Sequence, residues 1–168
     1  MELQEGKDKF LQAWGTLGSS WGINRTMAQV HALLLISPEP LTTEDVMQEL
    51  QISRGNANMN LRALIDWGLI SKELRSGERK EYFVAEKDIW KVARQVIKER
   101  RKRELEPILN LLEELKQIEA PKGDKEAEAF KSTITNIENI SSKADKTLSV
   151  FLKADENWFI NNFMKLLK

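Results

Sequence analysis

Apolar residues recur at helical spacing along most of the chain. Leu3, Phe10, Leu11, Trp14, Leu17 and Trp21 form a first stripe, and Gly15 and Gly18 are expected to loosen or end that helix, drawn from Glu2 to Gly15. Asn24 suits an N-cap for a second helix whose buried stripe is Met27, Val30, Leu33 and Leu34. It must stop before Ser37-Pro38-Glu39-Pro40, where two prolines forbid continuation. Thr42 or Thr43 caps a third helix, with Glu44 and Asp45 in the first turn, where the helix dipole favours carboxylates. Val46, Met47 and Leu50 face inward. Gln51-Ile52 is a tight connection, and Ser53 caps a fourth helix with Ala57, Leu61, Leu64 and Ile65 in one apolar arc, ended by Gly68.

The period then changes from 3.6 to about 2. Residues 70–75 and 80–84 read as two short strands, turned by Ser76-Gly77. Helical spacing returns at Asp88, with Ile89, Val92, Ala93 and Val96 in a stripe and Trp90 and Ile97 at its edge. Leu105, Ile108, Leu112 and Leu115 continue it, and Pro107 must kink the helix or open a new one. Residues 120–124 break the pattern. Phe130, Ile134, Ile137 and Ile140 are expected inward on the next helix, and Trp158, Phe159, Phe163, Leu166 and Leu167 share one face of the last segment. No internal repeat is visible.

Composition narrows the class. The 168 residues suit one ordinary domain or a small domain with a helical extension, and few Pro or Gly point to a mostly helical protein. Without cysteine, disulfides and thiolate metal sites are impossible. The segment MELQEGKDKF lacks the apolar core of a signal peptide, and the longest apolar run, Ala32 to Ile36, is too short to cross a membrane. A cytoplasmic protein with no membrane partner is therefore expected. Net charge is zero but unevenly placed. Residues 53–103 hold fourteen basic and seven acidic side chains, a net of +7, against −7 for the rest. A basic middle between acidic ends implies a local polyanion surface.

The order helix, helix, short turn, helix, two-stranded hairpin, helix is the winged form of helix-turn-helix. The fold expected is mostly α, with a two-stranded β-hairpin wing and flanking dimerisation helices. Its divisions are residues 1–22, an N-terminal dimerisation helix; 23–86, the winged helix-turn-helix; and 87–168, a C-terminal helical dimerisation region. At about 100° per residue, the face of the fourth helix opposite the apolar arc holds Gly55, Asn58, Met59, Arg62 and Asp66, with Asn56 and Ala63 on one flank. Asn can bond an adenine edge, Arg can fork onto guanine O6 and N7, and Met59 can touch a thymine methyl. Ser53 and Arg54 at the helix start, and Thr42 and Thr43 at the start of the preceding helix, are candidate phosphate contacts. Arg75, Arg79 and Lys80 bracket the hairpin turn, where phosphate-binding cations would sit. The run Lys98 to Glu104 reads as the solvated face of a long helix.

These features make double-stranded DNA the expected partner. A protein-interaction adaptor built on a winged-helix scaffold is the alternative, and it predicts binding indifferent to salt and to Arg62 or Arg79. A single module reads only a few base pairs, so a homodimer on a two-fold site is expected, with the apolar stripes at both chain ends interleaving between protomers. Catalysis is not expected. His31 is the only histidine, at the edge of an apolar stripe, and no phosphate loop, serine elbow, metal spacing or cofactor motif is present. Five Trp raise a small-molecule effector held by cation–π attraction, although Trp at helical spacing is ordinarily core or interface.

The residues from Trp21 to Ile70, above all SRGNANMNLRAL, with the wing GERKEYFVAEKDIW and the run KERRKREL, resemble the MarR-like winged-helix regulators, most closely their GbsR-type branch. The resemblance covers roughly residues 10 to 115. It implies a homodimeric transcriptional regulator, acting as a repressor. In that branch some members resemble repressors of glycine-betaine synthesis or osmoprotectant uptake genes, with choline-type ligands.

Overall fold

The computed structural model describes residues 1–20, 22–119, 121 and 123–154. Trp21 and the apolar face expected at Trp158, Phe159, Phe163, Leu166 and Leu167 lie outside them. The chain divides into two compact units, Met1–Gln95 and a second from Val96 onward.

The first unit begins with α1 (Leu3–Ser20) and α2 (Arg25–Ile36). Contrary to the sequence expectation, α1 runs straight through Gly15 and Gly18, and both are buried. Their role is close approach. A Cβ on Gly18 would sit 2.6 Å from Ala28 Cβ, and one on Gly15 would sit 2.8 Å from Gln29 Cγ. The lower helix propensity of glycine is offset by the packing of α1 on α2. Phe10, Trp14 and His31 form a chain of rings at this contact, with centroids 5.3 and 6.3 Å apart. Gly18→Val is expected to destabilise this unit by about 1–3 kcal/mol, because branched atoms would meet a helix backbone that cannot retreat. Urea denaturation measures the loss, and Ala28→Gly in the same chain should restore part of it.

Asn24 caps α2, its Oδ1 accepting from the Thr26 and Met27 N–H groups at 2.8 and 3.2 Å. The expected stripe of Met27, Val30, Leu33 and Leu34 is buried. Residues Leu41–Thr42 then form a short strand, β1, which the sequence reading did not anticipate. It precedes α3 (Thr43–Leu50) and α4 (Arg54–Asp66), with Gln51 in the left-handed region at φ 52° between them. The wing is β2 (Ile70–Leu74) and β3 (Glu81–Ala85), turned at Ser76-Gly77. The sheet is three-stranded and antiparallel in the order β1-β3-β2, with Leu41 opposite Phe83 and Thr42 opposite Tyr82. The hairpin is thus present as expected, and β1 stitches it to the entrance of the helix pair. Two residues show no alternation, so periodicity could not reveal β1.

After the wing, Lys87 reaches back to the end of α2. Its Nζ donates to the carbonyls of Leu34, Leu35 and Ser37 at 2.7, 2.9 and 2.6 Å. A cation there satisfies orphaned C-terminal carbonyls and the helix dipole together. Burial pushes the Lys87 ammonium below its ordinary pKa. Asp88 caps α5 (Ile89–Arg100), accepting from the Trp90 and Lys91 N–H groups. Val92 is buried, whereas Ile89, expected in the same stripe, is exposed. The helix meets the end of α4 later, where Gln95 Nε2 donates to the Trp67 carbonyl at 2.7 Å.

In the second unit the backbone from Arg101 to Leu105 is π-helical and leads into α6 (Glu106–Leu115). Pro107 is the reason. It lacks the N–H that would continue the α-helical ladder, and Glu106 N–H bonds Arg101 O instead. The run of charges around it is not simply a solvated face. Arg101 bonds Asp145 of α7 (Lys125–Lys153) at 2.6 and 3.1 Å. That bond lowers the Asp145 pKa and raises that of Arg101. Lys116 pairs with Glu138 at 3.2 Å. Leu112 and Ile134 are buried in this unit, but Phe130, Ile137 and Ile140, expected inward, are exposed, Ile140 by 71%. Within its unit α7 meets α6 and the π-helical turn.

Candidate nucleic-acid interface

Both helices of the α3–α4 pair begin with side-chain caps. Thr42 and Asp45 form a reciprocal box. Asp45 Oδ2 accepts from Thr42 N–H at 2.7 Å, and Thr42 Oγ1 accepts from Asp45 N–H at 3.2 Å. The Thr42 hydroxyl and backbone N–H hold the Asp45 carboxyl below its ordinary pKa. Ser53 Oγ accepts from Asn56 N–H at 3.3 Å. The αL residue Gln51 closes α3 and lets α4 leave at an angle, its N–H bonding Met47 O.

Buried Ala57, Asn60, Leu61 and Leu64 place one face of α4 on the unit's core. Ile65, expected in that arc, is exposed, because Asn60 occupies the other end of the buried arc and shifts its centre away from residue 65. The opposite face is free: Gly55, Met59, Arg62 and Asp66 are exposed, Met59 by 57%. Space around Gly55 is open to 4 Å from a built Cβ. Asn56 and Asn58 are half-buried on opposite flanks.

Beyond the Ser53 cap and the half-buried Asn56 and Asn58, the residues singled out from sequence fall into three surroundings. Arg62, Met59, Arg79 and Lys80 are exposed. Arg54 and Arg75 are exposed but held. Arg54 pairs with Glu44 at 2.7 Å, and the Arg75 guanidinium lies 4.0 Å over the Tyr82 ring. The Glu44 carboxyl sits below its ordinary pKa through its own backbone N–H and then through Arg54. Tyr82 in turn bonds Glu78, whose carboxylate raises the phenol pKa. Thr42 and Thr43 are buried, their hydroxyls committed to the capping box and to Asn58 Oδ1, the latter at 3.2 Å. Sequence reasoning placed Glu44 only as a first-turn carboxylate and Asn60 only near the core flank, and it passed over Tyr82 and Lys87. The i, i+4 spacing of Asn56 and Asn60 was a usable signal, whereas contacts spanning ten residues or more left none.

Chemically, this surface offers hydrogen-bond donors and cations on a protruding helix and beside a hairpin turn. Among the described residues no helix is long and apolar enough to cross a membrane.

Residues 21–80 match the model of the MarR family. The chain is 24% identical over 112 residues to the HTH-type transcriptional repressor GbsR of Bacillus subtilis (strain 168). The matched stretch is 67% of this chain and 62% of that repressor. A crystal structure of a transcriptional regulator has a similar fold, with a TM-score of 0.57, 21% identity, and coverage of 89% of this chain and 99% of that one. Paired helices and a wing give the chain a winged helix-turn-helix fold, and residues 21–80 within it are similar to the MarR family.

Proposed function

We propose that this protein is a transcriptional regulator that binds double-stranded DNA, with α4 in the major groove and the β2–β3 turn on the adjacent backbone. The carrying observation is the exposed ridge of Gly55, Met59, Arg62 and Asp66, directly opposite the buried Ala57, Leu61 and Leu64. Small residues let the helix approach closely, and Arg62 supplies a bidentate donor for guanine. Asn56 and Asn58 flank the ridge, and Ser53 and Arg54 stand at the helix start near a phosphate. Arg75, Arg79 and Lys80 serve the backbone beside the wing. At the start of α3, Thr42 and Thr43 act by fixing the backbone rather than by offering their hydroxyls.

The same reading makes the protein a homodimer. Exposed apolar residues on α6 and α7, among them Leu111, Phe130, Ile137 and Ile140, suit a second copy. Repression is inferred from the name of the Bacillus subtilis relative. A small-molecule effector would not be held by Trp14, which packs against Phe10 and His31 rather than lining a cage.

Selection from random duplex DNA tests partner and symmetry together, and a two-fold consensus is expected. At the selected site Arg62→Ala should weaken binding by about 1–3 kcal/mol and relax one base position. Arg79→Ala should weaken all duplexes alike and flatten the salt dependence. Salt-independent binding, or binding indifferent to both substitutions, would favour the adaptor reading.

A further inference from the structure

Arg54 opens α4, at the end where the helix dipole is positive and a cation is disfavoured. Its charge weakens the helix slightly unless an anion meets it. Within the chain that anion is Glu44, in the first turn of α3. Arg54 Nη2 lies 2.7 Å from Glu44 Oε1. The two side chains are 61% and 44% exposed, so the pair contributes little to stability and both groups are open to a ligand. More positive charge converges on the same carboxylate. Its own backbone N–H and Arg54 favour the ionised form, and Lys80, just before β3, adds a weaker pull in the same direction. The neighbouring Asp45 has another task, since its carboxylate closes the capping box with Thr42.

A guanidinium, an ammonium and helix-start N–H groups are also the partners that a DNA phosphate takes. Carboxylate and phosphate oxygens accept from guanidinium in the same fork geometry, so the two compete for Arg54. The other cations of the proposed DNA face meet no such rival: among the described residues, no carboxylate lies within ion-pair distance of Arg62, Arg79 or Lys80.

We propose that Glu44 withholds Arg54 from the DNA backbone, standing in for a phosphate and so lowering affinity for every duplex alike. This rests on the DNA-binding reading above. Glu44 is thus a positioning residue that acts on DNA through Arg54.

The test is a double-mutant cycle. Affinity is measured for the full chain, Glu44→Gln, Arg54→Ala and the double variant, on the site selected from random DNA and on an unrelated duplex. Glu44→Gln keeps the size of the side chain and removes its charge. It should tighten binding to both duplexes by about two- to fivefold, the range of an exposed ion pair. With Arg54→Ala already present, the same replacement should change affinity by less than about 1.5-fold. The comparison separates competition from plain repulsion. A carboxylate that merely repelled phosphates would lose its neutralising partner in Arg54→Ala, and its removal would then tighten binding at least as much. That result would overturn the inference. So would weaker binding by Glu44→Gln, which would make the carboxylate a brace for Arg54 on the backbone, and so would a gain confined to the selected site. Both residues are exposed, and urea denaturation of each variant checks that the fold is kept. Failure of the unaltered chain to bind any duplex would overturn the DNA-binding reading, whereas binding with no gain from Glu44→Gln would overturn this inference alone.

Discussion

Acidification from pH 6.5 to pH 4 is expected to cost the fold on the order of 3 kcal/mol through His31 alone. The ring is 4% exposed, against Trp14 where α1 packs on α2, and Nε2 has no hydrogen-bond partner among the described residues. Burial is the main cause that lowers its pKa from 6.5 to about 4, with the Lys87 ammonium a lesser one. In the unfolded chain the ring takes up a proton as pH falls through 6.5, whereas the folded chain resists until about 4. Protons therefore favour the unfolded state within that window. The full stability from His31 is present above pH 6.5 and is lost progressively towards pH 4. Denaturation at a series of pH values, compared with His31→Leu, isolates the effect, because carboxylates titrate in both proteins. Parallel stability curves for the two proteins across this window would rule it out.

The second large effect is Leu61→Ala, expected to destabilise the first unit by about 2–5 kcal/mol. Leu61 is 1% exposed and sits with Ala57 and Leu64 where α4 packs on α2. Truncation removes buried methyls and leaves a cavity that two helices tied by β1 and the wing cannot fully close. The neighbouring residue gives the control. Arg62 is on the opposite face, so Arg62→Ala should reduce DNA affinity with stability changed by no more than about 0.5 kcal/mol. Leu61→Ala should do the reverse, keeping affinity under conditions where the chain stays folded. Stability from urea titration and affinity from DNA titration place the two variants on different axes. Equal loss on both axes for both variants would mean that the two faces are not separable.

The local rules were readable from residue order because they act over a few positions. Caps at Asn24, Thr42 and Ser53 were visible as polar side chains just ahead of apolar stripes. The winged helix-turn-helix order followed from one change of period at Gly68. The exposed ridge on α4 followed from helix geometry, and it left Asn60 on the core flank.

Other features depended on which surfaces meet. Gly15 and Gly18 read as helix breakers because propensity is local, yet their lack of a side chain lets α2 approach. The strand β1 exists through its pairing with β3, and Lys87 finds its carbonyls some fifty residues earlier in the chain. Whether an apolar stripe is inside or outside needs knowledge of what covers it, hence the exposure of Ile65, Ile89, Phe130, Ile137 and Ile140. By itself the sequence determined the elements, their order and the chemistry of the ridge, because period, caps and turns are written in adjacent residues. Only the tertiary structure decided which cations are free, which are held and how closely the helices pack, because each is settled by atoms far away along the chain.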